Sequence, residues 1–184
     1  ADPSAASPDG QTTIQLALKH GWLDAIPRLA AAGADPNAPD NQGLRPLERA
    51  LANRDLAMAA LFLKAGADPS LPASGNDASK APLRIAFEQS DPRFLELFLS
   101  RGARIPESWL WDAFHAQDLQ TTRLLLRHGV RPADRQPTML EQAVQASSIP
   151  FAKLLLDYGM APGRSLEIAC SRDDAAMAEL LLCH

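Results

Sequence analysis

Five times in this chain a small residue inside an apolar stretch is followed sixteen positions later by a glycine: Ala17 by Gly33, Ala50 by Gly66, Ala86 by Gly102, Ala113 by Gly129 and Ala143 by Gly159. A sixth, Ala169, places its glycine at position 185, one beyond the last of the 184 residues. Self-similarity of this kind restricts a chain to architectures made by stacking one unit on its own copies. The unit carries its own punctuation. Two large apolar residues begin four positions before the glycine (Phe62-Leu63, Phe98-Leu99, Leu125-Leu126, Leu155-Leu156 and Leu181-Leu182), weakened in the first unit to Leu29-Ala30. Eleven positions before it stands a residue that caps helix N-termini, Asp55, Asp91, Asp118, Ser148 or Asp174, whose side-chain oxygen can accept a first-turn N–H. Pro92 follows Asp91 at the first helical position, where its missing N–H costs nothing. Each unit is therefore predicted to be a short inner helix, a tight turn, a longer outer helix and a glycine stop.

Successive anchor alanines lie 33, 36, 27, 30 and 26 residues apart, while the helix pair between alanine and glycine keeps its length. All the variation is in the connections, as expected where rigid pairs bury their apolar faces only against neighbours. Composition agrees: 46% of residues are hydrophobic but only 5% aromatic, so the interior is built from Ala and Leu. The net charge of −4 is not gathered into blocks, which argues against attraction to nucleic acid or an anionic membrane. No apolar run approaches the roughly 20 residues needed to span a bilayer, so the chain is expected to be soluble, without membrane insertion.

The stretch Gly33-Ala34-Asp35-Pro36-Asn37-Ala38-Pro39-Asp40-Asn41-Gln42-Gly43-Leu44-Arg45-Pro46-Leu47 closely resembles the ankyrin repeat pattern GAD-x-N-A-x-D-x-x-G-x-TPL, and Ala67-Asp68 after Gly66 repeats its opening. The resemblance runs over residues 9–184. It implies an all-α fold, an ankyrin-type solenoid of about six helix-pair repeats joined by short β-hairpin or truncated loops. Fingers would project beside the inner helices and form a concave face that in the family usually grips proteins. The expected organisation is a flexible segment at 1–8 and a single array at 9–184, with repeats at about 9–39, 40–75, 76–105, 106–136, 137–163 and 164–184.

Departures from the family pattern are informative. At the Thr of its Thr-Pro-Leu-His motif the chain keeps only Thr12 and Thr138, and at the Pro only Pro46 and Pro82. The His is absent, its six positions holding Gln15, Glu48, Arg84, Trp111, Glu141 and Glu167. The family's hydrogen-bond network must be altered or missing there, and stability is expected to fall below that of an idealised array. The connection from Pro69 to Ala81 is three residues longer than the first and holds Pro72, Gly75 and Asn76, a long mobile finger; later connections are shortened by six, three and seven residues, too short for a full finger.

Nothing in the sequence assembles catalytic chemistry. His20, His115, His128 and His184 are scattered, and neither a His-Glu-x-x-His motif, a paired-Cys motif nor a phosphate-binding glycine loop is present. Glu88, Glu141 and Glu167, on inner helices, are expected to be solvated charges. Cys170 and Cys183 lie on opposite limbs of the last pair, roughly 10 Å apart along it, too far for a bridge, and are expected to be reduced. No enzyme activity, cofactor or metal is implied.

Binding has candidates. Alignment places Asn41 and Gln42 at a finger tip and Lys19, His20, Leu44, Asn53, Lys80, Glu88, Gln89, His115 and Gln145 on the exposed inner-helix face. In repeat four, Trp109 and Trp111 replace the family's Pro and His. Trp109 is expected to fill space left by the shortened finger, whereas Trp111 is assigned to the concave surface as a partner contact, since aromatic residues anchor interfaces. Trp22, at the first turn, is expected to pack and cap that end.

The expected function is a non-enzymatic protein–protein interaction module that binds a folded protein, itself a monomer. The alternatives are an inhibitor or immunity protein neutralising a toxic enzyme, and a host-directed effector adaptor. Arg outnumbers Lys 14 to 4 amid abundant Ala, Leu and Pro, a bias that points to a GC-rich, bacterial genome. The compartment stays open between cytoplasmic and bacterial periplasmic or secreted. Small residues at Ala1 to Pro8 fit a processed end, an expression scar or an excised fragment. The polar Arg172, Asp173, Asp174 and Glu179, with the stop one residue before a glycine, favour a true C-terminal end over truncation.

Overall fold

Each anchor alanine sits where two helices must turn back on each other, and its position explains the fixed length of the unit. In the computed structural model, which describes residues 11–40, 42–71, 81–89, 91–132 and 137–184, the helices pair along the chain. They are α1 (Thr13–Lys19), α2 (Ile26–Ala31), α3 (Pro46–Ala52), α4 (Leu56–Lys64), α5 (Pro82–Glu88), α6 (Pro92–Ser100), α7 (Ser108–His115), α8 (Leu119–Arg127), α9 (Met139–Gln145), α10 (Ile149–Asp157), α11 (Ser165–Ser171) and α12 (Ala175–Leu182). A 3-10 turn, Leu23–Ala25, precedes α2. Among the described residues there is no strand. Segment 1–8, Asn41, Lys80 and the part of the long loop containing Pro72, Gly75 and Asn76 lie outside the described residues.

The chain divides into two compact units, Ala1–Arg104 and Ile105–His184. In the first, α1 pairs with α2, α3 with α4 and α5 with α6, while α2 packs on α4 and α4 on α6. In the second, α7 pairs with α8, α9 with α10 and α11 with α12, and α10 lies between α8 and α12. Inner helices are short because the next turn begins at once: the carbonyls of Ala17, Ala50, Ala86, Ala113, Ala143 and Ala169 accept the amides of Trp22, Asp55, Asp91, Asp118, Ser148 and Asp174 at 2.8–3.4 Å. The alanine methyls are all buried, and a larger side chain would hold the paired helices apart.

Outer helices start where the capping residues predict. The carboxylates of Asp55, Asp118 and Asp174 accept the amides of Met58, Thr121 and Met177 at 2.9, 3.0 and 3.1 Å, and Asp91 accepts that of Arg93 at 3.1 Å. The Arg93 guanidinium, hydrogen-bonded to Asp91, holds that carboxyl below the usual carboxylate range. Ser148 stands at the N-cap but makes no side-chain capping bond. The helices stop as their glycines dictate. After α2, α4, α6, α8 and α10 the residues Gly33, Gly66, Gly102, Gly129 and Gly159 take φ between 80° and 109°. The next amide (Ala34, Ala67, Ala103, Val130 or Met160) donates 2.9–3.1 Å back to Leu29, Phe62, Phe98, Leu125 or Leu155. Those same Phe and Leu residues are core from the second pair onward: Phe62, Phe98, Leu125, Leu155 and Leu181 are buried, although Leu182 is exposed.

The altered Thr-Pro-Leu-His positions find a common replacement. Gln15, Glu48 and Glu141, three residues into α1, α3 and α9, turn back and accept the amides of Thr12, Arg45 and Thr138 at 2.9, 2.8 and 2.9 Å. Glu141 is therefore not a solvated charge: it is 6% exposed, as is Glu48. In contrast Glu88 and Glu167 are exposed, within 2.7 Å of Arg84 and 3.7 Å of Arg164 respectively.

Trp22 overturns its assignment as an end-packing residue. It is 63% exposed, stacked on His20 with ring centroids 5.1 Å apart. It occupies the N-cap position that Asp or Ser holds in the other described pairs, has no oxygen to cap with, and is followed by a 3-10 turn instead of a full α-helix start. Trp22→Asp should therefore raise the stability of the first unit by about 0.5–1 kcal/mol, read as a higher urea midpoint with an unchanged slope. A lower midpoint would show that the His20 stack outweighs the missing cap.

Candidate functional site

The loop after α2 has few apolar side chains to hold it, so polar contacts must set its shape. Asp40 does most of this. Its backbone amide donates to Leu44 O (2.9 Å), Gly43 N donates back to its carbonyl (2.8 Å), and its carboxylate accepts the amides of Gln42 (2.8 Å) and Leu44 (3.1 Å). Gly43 takes φ +78°, which closes the turn without steric cost. The turn is fastened on both sides. Gln15 on α1 donates through Nε2 to Pro39 O (2.7 Å), and Arg49 on α3 forms an ion pair with Asp40. Below it, the Arg45 guanidinium donates to Asn37 O (3.0 Å), and the Asn37 side chain accepts the amide of Asp68 from the following loop (2.8 Å).

This arrangement leaves a groove of about 470 Å³ in the first unit, walled by α1, α3 and the finger. Leu18, Ala50, Met58 and Phe62 give it an apolar floor, and Leu44 stands at the rim, 38% exposed. Four of the residues expected to contact a partner, Lys19, Gln42, Leu44 and Asn53, come from three separate segments and all line it. Such a volume suits a large side chain or a small molecule.

The other candidates are dispersed. His20 is exposed beside Lys19 but faces Trp22. Glu88 and Gln89 are exposed at the end of α5, Glu88 paired with Arg84. In the second unit His115 is exposed, its Nε2 3.4 Å from the Gln142 side-chain oxygen, and Gln145 is exposed at the end of α9. Trp111 does not stand on a surface. It is 5% exposed, its ring 5.8 Å from that of His115 and edge-on to Phe114 at 6.2 Å, and Phe114 in turn meets Phe151 of α10 edge-on at 5.2 Å. The helix register accounts for this: position 111 lies one turn before the buried Phe114, so both rings share the packed face. Trp109 is also buried.

Sequence reasoning missed Gln11, Gln15, Asp40 and Arg49 in the lining. Asp40 carried a signal, since Asp ahead of x-x-Gly is a turn former. Gln15 and Arg49 carried none, because their roles depend on contacts to a loop 24 and 9 residues away.

Among the described residues no three His, Cys, Asp or Glu side chains gather as a metal site, and no helix is long and apolar enough to cross a membrane. Cys170 and Cys183 are free and exposed.

Residues 1–73 match a family model for ankyrin repeats in three copies. Among solved structures the chain is similar to the ankyrin repeat domain of Bcl-3, described as a unique member of the IkappaB protein family. The identity is 23% and the TM-score 0.55, over 94% of this chain and 86% of that one. No curated protein matches.

Proposed function

Because the chain carries ankyrin repeats, we propose that it is a non-enzymatic protein-binding module whose principal contact surface is the groove between α1, α3 and the Asp40 finger. The observation that carries this reading is the convergence of Lys19, Gln42, Leu44 and Asn53, from three segments, on one groove. An apolar floor under a polar rim is how protein interfaces are commonly built. The finger is held by side chains from both flanking helices, so it presents Gln42 and Leu44 with little ordering left for binding to supply.

The test is affinity capture from the source organism's lysate with wild type, Asp40→Ala and a Gln42→Ala, Asn53→Ala double variant, each checked for folding by circular dichroism. Asp40→Ala removes the acceptor for two finger amides and the partner of Arg49. It should weaken capture of a stoichiometric partner about tenfold, the loss of one interface anchor, while the helical signal stays unchanged. Capture that survives both variants rejects the groove. The partner's own activity then separates the finer readings. Abolished activity in a one-to-one complex identifies an inhibitor or immunity protein, a host-derived partner identifies an effector adaptor, and an active partner identifies a scaffold.

A further inference from the structure

Charge and hydrogen-bond capacity in the groove are unevenly used. The Arg49 guanidinium is met by Asp40, and the Asp55 carboxylate accepts the Met58 amide at the start of α4, 2.9 Å away. Gln15 is committed at both ends of its amide, accepting from Thr12 and donating to Pro39. Three lining groups remain. The exposed Lys19 ammonium makes no ion pair, and the exposed side-chain amides of Gln42 and Asn53 make no hydrogen bond, among the described residues. What remains for an occupant is thus an apolar floor, one cation at the end of α1, and two amides able both to donate and to accept.

We propose that the groove takes an extended acidic–aliphatic segment of the partner protein. A Leu-sized side chain lies on the floor formed by Leu18, Met58 and Phe62, a carboxylate within a few residues of it meets Lys19, and the segment's backbone pairs with the Gln42 and Asn53 amides. Amide side chains match a peptide backbone because each offers an N–H and a carbonyl, as the backbone does. The carboxylate is specified by Lys19, which among the described residues is the charged lining group with neither an ion pair nor a hydrogen bond. A basic segment would bring like charge against that cation, the Asp55 carboxylate being held at the start of α4 by the Met58 amide. This assignment rests on the groove being the binding surface and adds the chemistry of what binds there.

The probes are acetylated, amidated octapeptides of Gly and Ser carrying one Leu and one Asp at spacings of one to three residues, titrated into the full ¹⁵N-labelled chain at low ionic strength. Amide shifts should move at Lys19, Gln42, Leu44 and Asn53. The Asp peptide should bind about two- to fivefold more tightly than its Asn counterpart, the scale of a solvent-exposed ion pair, and the Leu→Ala peptide should lose binding. Lys19→Gln should erase the Asp-over-Asn preference while leaving Leu-dependent binding in place, and Lys19→Glu should reverse it in favour of a Lys peptide. Equal binding of Asp and Asn peptides to wild type overturns the proposal, as do shifts confined to other parts of the chain. So does concentration-dependent dimerisation abolished by Leu44→Asp, which would make a second copy the occupant. Loss of the lysate partner from the Gln42→Ala, Asn53→Ala variant without any Asp preference overturns the acidic assignment alone. Retention of that partner by the variant overturns the binding surface itself.

Discussion

Trp111→Ala is expected to destabilise the unit Ile105–His184 by about 3–5 kcal/mol, the cost of truncating a large buried aromatic. The residue is 5% exposed, edge-on to Phe114, whose ring makes the contact with Phe151 that joins α7 to α10. Removing the indole leaves a void beside both Phe114 and His115, and neighbours this tightly packed relax into it only in part. Urea unfolding followed by circular dichroism should show an early transition. His115→Ala, on an exposed side chain of the same helix, should move it by no more than about 0.5 kcal/mol. A Trp111→Ala protein with a wild-type midpoint would mean that the packed cluster contributes nothing. The pair also guards binding experiments: partner loss on Trp111→Ala reports loss of fold, and only loss on His115→Ala would place a contact there.

The largest expected gain lies at the turns between paired helices. Four residues after Ala17, Ala50, Ala113, Ala143 and Ala169 the backbone enters the left-handed region: Gly21 at φ 72°, then Arg54 at 54°, Gln117 at 58°, Ser147 at 50° and Asp173 at 55°. Only the first of these is a glycine. An L-residue held there costs roughly 1–2 kcal/mol, against which glycine gives back roughly 0.5–1 kcal/mol in unfolded-chain entropy. All four side chains are exposed, so little packing is lost on their removal. The triple variant Gln117→Gly, Ser147→Gly, Asp173→Gly should stabilise the second unit by about 1.5–3 kcal/mol if the three turns act independently, with Asp173 giving least because Asp tolerates this region best. Arg54→Gly should add about 0.5–1 kcal/mol to the first unit on the same grounds. The readout is a raised urea midpoint at constant slope; an unchanged midpoint would mean that the turns carry no strain.

These turns also show where local pattern stops being informative. The glycine after each of α2, α4, α6, α8 and α10 announces its left-handed conformation in the sequence. The equivalent conformation at the other end of the pair is filled by Arg, Gln, Ser and Asp, and nothing in those letters reveals it. There the backbone is forced by the geometry of the pair: the anchor alanine's carbonyl must receive the amide five residues on, which requires a sharp reversal whatever side chain is present.

The candidate site divides in the same way. Lys19, Gln42, Leu44 and Asn53 could be placed on the right segments because the repeat aligns each segment with its equivalents. The groove they line exists because Gln15 and Arg49 tie the finger to α1 and α3, and neither bond follows from helix period, capping or turn chemistry. Trp22 and Trp111 show the limit most sharply. Their chemistry suits either core or interface, and the exposures are the reverse of those expected, Trp22 standing out and Trp111 buried.

The sequence by itself determined the unit, its six-fold repetition, its helix starts and stops and the buried alanines, because these depend on helix period, capping and steric size within about thirty residues. Tertiary structure decided what identical letters do at the same position in different repeats. Glutamate at the fourth position of the motif is a buried cap in Glu48 and Glu141 and a solvated charge in Glu167. The amides these caps accept lie only three residues back, but the burial around them comes from the helices packed against each one, and those neighbours differ from one repeat to the next.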